Sequence, residues 1–129
     1  MSLVVWEDSC HLLRSQLANL RDDVMDAPLV TFKLPTGSSI ELEQRYQELG
    51  LAGVVWDCGR VAAYMISMIP PDIFAGTRIL ELGSGTGILG IASALQGADV
   101  TFTDIPSIIP FLQANVQRNL PSNQVESSA

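Results

Sequence analysis

Metal ligands, lysines and long apolar runs are what this sequence is short of. One histidine, His11, and two isolated cysteines, Cys10 and Cys58, make no cluster at zinc-binding spacing, so no metal site is expected. Two thiols so far apart in the sequence suggest no disulfide framework, and they point to a reducing, cytoplasmic setting. With a single lysine, Lys33, and a formal net charge of −7, the chain lacks the clustered Lys and Arg that phosphate contacts need. Nucleic acid is therefore not an expected partner. No apolar run approaches the roughly 20 residues that cross a bilayer, and the N-terminus has no secretory-signal pattern, so no membrane association is expected. Residues 66–74 come nearest, but Pro70-Pro71 and Asp72 make them a helix end and a turn.

What is present suits one compact unit. The length of 129 residues predicts one domain, and an apolar fraction of 47% is ample for its core. Asp8 or Ser9 can cap a helix running to about Leu20, with Leu12, Leu13, Leu17 and Leu20 as its apolar stripe. An acidic linker follows, so residues 1–28 form an N-terminal extension. Residues 29–34 and 40–43 alternate around Pro35-Thr36-Gly37-Ser38 and predict a hairpin whose apolar face is Val30, Phe32, Leu34, Ile40 and Leu42.

The most informative stretch is Arg78-Ile79-Leu80-Glu81-Leu82-Gly83-Ser84-Gly85-Thr86-Gly87, answered by Thr101-Phe102-Thr103-Asp104. Residues 77–82 read as a buried strand, in which the Glu81 carboxylate is costly unless something meets it. Glycines at alternate positions then let the backbone turn sharply and approach a ligand closely. Ile88-Leu89, Ile91-Ala92 and Leu95 have helical spacing, and Gly97 closes that helix. Residues 100–102 form the next strand, with Asp104 at its carboxyl end, where an open parallel sheet binds ligands and an acid can accept both hydroxyls of a ribose.

Competing motifs fit less well. Gly85-Thr86-Gly87-Ile88-Leu89-Gly90 matches the dinucleotide pattern G-x-G-x-x-G, with an acid about 20 residues on. In that fold, however, the first glycine closely follows the strand, whereas here Gly83 and Ser84 intervene. A nicotinamide-dependent oxidoreductase remains a remote alternative. A phosphate-binding P-loop lacks its Gly-Lys-Ser/Thr ending, and a nucleophile elbow lacks its glycines, because Leu82 and Thr86 stand there.

The acid-x-Gly-x-Gly-x-Gly form resembles the first motif of S-adenosylmethionine-dependent methyltransferases with a seven-stranded, Rossmann-like sheet. Together with Val54-Val55-Trp56-Asp57, Phe102-Thr103-Asp104-Ile105-Pro106 and Gln113-Ala114-Asn115-Val116, it is similar to the lysine-directed protein methyltransferases of that class. The resemblance implies an α/β fold with a parallel sheet and flanking helices over residues 29–121, followed by a polar tail at 122–129. It also implies S-adenosyl-L-methionine as cofactor and a lysine side chain of a protein as substrate. By position, Trp56 would touch the cofactor, Gly83, Ser84 and Gly85 would line its amino-acid portion, and Asp104 would take the ribose. Glu81 would support the loop or the cofactor's ammonium group. Taken as an isolated aromatic, Trp56 would equally suit the core. Asp57 reads as a cap for the helix with apolar positions Val61, Tyr64, Met65, Met68 and Ile69 rather than as a site residue. Residues 107–120 form the last helix, with Pro110 in its first turn and Pro121 stopping it.

The family pattern continues where this sequence ends. Beyond Pro121 there is no aromatic residue, and the further strands and the acid-x-x-Tyr segment of the substrate channel have no counterpart. The resemblance therefore covers the first half of a methyltransferase, and no catalytic residue is assigned. A chain of this kind would be a truncated enzyme or, alternatively, a non-catalytic cofactor-binding or interaction module. Either would self-associate through open sheet edges.

Overall fold

The computed structural model describes residues 27–121; the expected helix before Leu20, His11, most of the acidic linker and the polar tail lie outside them. The order is β1 (Leu29–Lys33), β2 (Ser39–Glu43), α1 (Tyr46–Leu49), a 3-10 turn (Gly50–Gly53), α2 (Asp57–Ser67), α3 (Pro71–Phe74), β3 (Arg78–Leu82), α4 (Ile88–Leu95), β4 (Asp99–Thr103) and α5 (Ile109–Asn119). The short α1, the 3-10 turn and α3 are too brief to show a periodic pattern in the sequence.

The hairpin forms as expected. β1 and β2 pair antiparallel with Val30 opposite Leu42 and Phe32 opposite Ile40. Alternation sends that apolar face inward, and Leu34, Ile40 and Leu42 join Ile91, Ala92, Leu112, Val116 and Leu120 in the core. Ile40, Leu42 and Ile91 are fully buried. Truncating any of them to alanine would cost about 2–5 kcal/mol, the range for buried aliphatic side chains.

β3 and β4 pair in parallel, with Glu81 opposite Phe102 and Leu82 opposite Thr103. Parallel neighbours need a crossover connection, and α4 supplies it. Its Gly90 is the point of closest approach: a Cβ there would run into the Phe102 ring and lie 2.6 Å from Glu81 Oε2. The last glycine of the dinucleotide-like match thus serves helix-on-sheet packing.

Three expectations need correction. β3 is covered on one face only, so it is not a buried strand: Leu80 and Leu82 are 62% and 76% exposed. Parallel strands are apolar on both faces because both are usually covered, and among the described residues helices pack on one. The second concerns α2: of its named apolar positions Tyr64 is buried, together with Arg60, Ala63 and Ser67. Met65, Met68 and Ile69 face outward instead. The helix is turned so that small Ala63 and Ser67 lie inward, where α4 packs closely. Arg60 goes in with them, its Nε without a hydrogen-bond partner and its pKa lowered by burial, which the nearby Asp57 partly offsets. Third, Asp57 makes no capping hydrogen bond. Trp56 holds the cap position, and Asp57 sits in the first turn, where its charge favours the helix dipole.

Candidate functional site

The site is built where β3 ends. Gly83, Gly85 and Gly87 all have positive φ, at 65°, 54° and 81°, a backbone region that residues with a Cβ rarely enter. Three such residues at alternate positions turn the chain from β3 into α4. A Cβ on Gly83 would meet nothing within 4 Å, so this part of the turn is open, whereas one on Gly85 would lie 3.1 Å from the Ala52 carbonyl oxygen. The turn is thus pressed against the segment that precedes α2.

Asp104 ties the turn to the neighbouring strand. The Gly85 N–H donates to its Oδ2 at 2.8 Å, and the Ile105 N–H donates to Oδ1 at 2.7 Å. Each oxygen keeps acceptor capacity after one such bond. Ser84 acts differently from a simple lining residue. Its N–H donates to the Thr103 carbonyl, its hydroxyl accepts the Thr103 N–H at 3.2 Å, and the Thr103 hydroxyl donates to the Glu81 carbonyl. Ser84 therefore locks the ends of β3 and β4 together while its outer side borders the cleft.

Glu81 is the electrostatic anomaly that the sequence suggested. Burial pushes its carboxyl above the ordinary glutamate value, the Ser84 hydroxyl and the Gly90 N–H pull it back, and the Asp104 carboxylate adds to the rise. Its Oε2 is buried without a hydrogen-bond partner. A buried carboxylate in that condition favours either a proton or a cation.

Trp56 is not a core aromatic. It is 45% exposed, and its indole Nε1–H donates to the Leu51 carbonyl at 3.0 Å, which holds the ring against the 3-10 turn. Trp56, Glu81, Gly83, Ser84, Gly85 and Asp104 together line one cleft of about 390 Å³. All six residues singled out from the sequence therefore meet. The same cleft also takes in Leu51, Ala52, Val54, Cys58, Gly59, Leu82, Thr86, Ile88 and Leu89. Most of these are small or apolar and have no chemical signature of their own. Their nearness to the glycine stretch was the only signal for Thr86, Ile88 and Leu89, and nothing in the sequence pointed to Leu51 or Ala52.

The arrangement can hold a ligand with one apolar flat part, one cationic part and vicinal hydroxyls. Comparisons with known proteins bear on the family. A family model described as lysine methyltransferase matches residues 35–129. The chain is 45% identical over 85 residues to protein N-lysine methyltransferase METTL21A of Danio rerio, covering 66% of this chain and 38% of that protein. It is 42% identical over 94 residues to the Mus musculus protein of the same name, covering 73% and 42%. To EEF1A lysine methyltransferase 3 of Mus musculus it is 41% identical over 86 residues, covering 66% and 37%. The chain spans about four-tenths of the length of these curated relatives.

Proposed function

The chain belongs to the lysine methyltransferase family, and from that premise we propose that its cleft binds S-adenosylmethionine for methyl transfer to a lysine side chain of a protein substrate. The observation that carries this reading is the convergence of Trp56, Glu81, the glycine turn and Asp104 on one cleft at the carboxyl ends of two parallel strands. That is where open α/β sheets bind nucleotide-like ligands.

The residues present fit such a cofactor. The open Gly83 leaves room for close approach, and the Glu81 carboxyl in the cleft wall suits an ammonium group. Asp104, already fixed by two backbone N–H groups, can accept ribose hydroxyls on its remaining lone pairs. Trp56 offers a flat apolar surface, held in place by Leu51. When bound, S-adenosylmethionine supplies a methyl group activated by positively charged sulfur. This chain's own part is to hold the donor in one orientation and keep water from it. The accepting amine must be neutral, and free lysine is mostly protonated near neutral pH; no described residue is assigned to take that proton.

A second copy of this chain is the other partner we propose, because among the described residues β3 pairs on one edge only, with β4. Antiparallel pairing of β3 with β3 of a second copy would set Leu80 against Leu80 and Arg78 against Leu82, joining the exposed leucines into one apolar patch without opposing like charges.

The test is transfer of radiolabel from S-adenosylmethionine to protein lysine in a cell extract, using the chain in its natural sequence context. Label on lysine that disappears with Asp104→Ala supports the proposal. No label, with saturable binding intact, leaves a cofactor-binding module in its place.

A further inference from the structure

Two asparagines on α5 imitate a β-strand. The Asn115 side-chain oxygen accepts the Glu43 N–H at 2.8 Å while its Nδ2 donates to the Glu43 carbonyl at 3.2 Å. One helical turn on, Asn119 does the same to Glu41, accepting its N–H at 2.8 Å and donating to its carbonyl at 2.7 Å. Residues four apart on a helix lie about 6 Å apart, close to the spacing of alternate residues along a strand. All three residues Glu41, Leu42 and Glu43 face β1 residues in the register, but hydrogen-bonded pairs alternate along antiparallel strands. With the Gln44 N–H donating to the Pro28 carbonyl, it is Leu42 that bonds β1, so the two amides satisfy the strand's outer edge, the part most exposed to wrong pairing. Asn115 is completely buried. A buried amide costs stability unless its groups are paired, and here both side-chain atoms are.

The connection from Glu43 leads to the cleft. Gln44, next in the chain and itself buried, accepts the Val55 N–H on Oε1 at 2.9 Å and donates from Nε2 to the Ala27 carbonyl at 3.0 Å. The Arg45 N–H donates to the Gly53 carbonyl, and a Cβ on Gly53 would lie 2.6 Å from the Arg45 carbonyl oxygen. The segment that begins at Gln44 is thus clamped onto residues 53–55. Val55 precedes Trp56, and Leu51, within the same loop, holds the Trp56 indole.

We propose that Asn115 is a positioning residue for the cleft: its clamp on Glu43, relayed through Gln44 to Val55, sets where Trp56 stands. Asn119 makes an equal clamp two strand residues farther away, so it secures the hairpin without setting Trp56. This inference rests on the cofactor reading of the cleft for its effect on affinity but not for its effect on Trp56 itself.

The experiment compares Asn115→Ala, Asn119→Ala and Gln44→Met in a Trp6→Phe background, which leaves Trp56 as the sole indole. Three quantities are read: Trp56 emission, hydrogen exchange at Glu41 and Glu43, and the Kd for S-adenosylhomocysteine. Asn115→Ala is expected to lose protection at Glu43, shift the emission and weaken binding about tenfold, a loss the size of one hydrogen bond. Gln44→Met should shift emission and weaken binding similarly. Asn119→Ala should lose protection at Glu41 with emission and Kd as in the parent. If the two asparagine variants move Trp56 and the Kd alike, or neither moves them, the positioning role is wrong. If Asn115→Ala does not fold, Gln44→Met with unchanged emission overturns it equally. A parent chain that binds no S-adenosylhomocysteine removes the cofactor reading, and the emission and exchange results still decide the positioning role.

Discussion

The Gly85 N–H donates to Asp104 Oδ2 at 2.8 Å, joining the glycine turn to the end of the neighbouring strand. One carboxylate thereby shapes the loop and remains able to take a ligand hydroxyl. Asp104→Ala removes both functions. It should weaken S-adenosylhomocysteine by at least about tenfold to a hundredfold, in line with charged hydrogen bonds of roughly 1.5–3 kcal/mol. Asp104→Asn keeps an acceptor but swaps the other oxygen for an amide, and calorimetric titration should place its affinity between the two.

Gly90 presents two opposed effects. Alanine in a helix interior normally gains about 1 kcal/mol over glycine. Here its Cβ would press into the Phe102 ring and Glu81 Oε2, and overpacking of this kind costs roughly 1–3 kcal/mol. The clash should win, because Phe102 is packed against the core and cannot swing away freely. Urea denaturation of Gly90→Ala should therefore show a loss of stability, and a gain would mean that helix and sheet sit farther apart.

These two sites show what could be read from residues alone. The three glycines, Glu81 and Asp104 announce themselves because each is chemically out of place: glycine in a run, an acid in an apolar strand, an acid closing a strand. Trp56 was legible by its motif and not by its surroundings. The apolar face of the hairpin followed from strict alternation in Val30, Phe32, Ile40 and Leu42, which the register sets opposite one another. The orientation of α2 did not, since Met65, Met68 and Ile69 are as apolar as any core residue. The face packed against α4 bears Ala63 and Ser67 but also Arg60 and Tyr64, a mixture that hydropathy alone does not pick out. The asparagine clamp was equally hidden, because its partners are backbone groups more than 70 residues away.

Glu81 makes the molecule sensitive to pH. Burial raises its folded pKa above the unfolded value, so the native protein holds that proton more firmly than the unfolded chain. The stabilisation is fully present below the ordinary glutamate range and is lost as pH rises through the raised folded value. Glu81→Gln should flatten that part of the stability profile. A ligand ammonium favours the ionised form, so S-adenosylhomocysteine should bind more weakly as pH falls through the same window, and Glu81→Gln should abolish that dependence.

Leu80 tests the proposed pairing of β3. Replacing it with lysine, on a face exposed among the described residues and away from the cleft that Leu82 lines, should change stability by no more than about 0.5 kcal/mol, as for ordinary surface sites. Light scattering after size exclusion should show a shift from dimer to monomer. A parent chain that is monomeric at high concentration would exclude pairing through β3.

The central claim is that the glycine turn and Asp104 form a site for an S-adenosyl compound, and the most direct measurement is calorimetric titration with S-adenosylhomocysteine beside reduced nicotinamide dinucleotide. The account predicts saturable one-to-one binding of the first, weakened about tenfold to a hundredfold in Asp104→Ala, and no heat from the second. Binding of the dinucleotide alone, or S-adenosylhomocysteine affinity that survives removal of the Asp104 carboxylate unchanged, would contradict it.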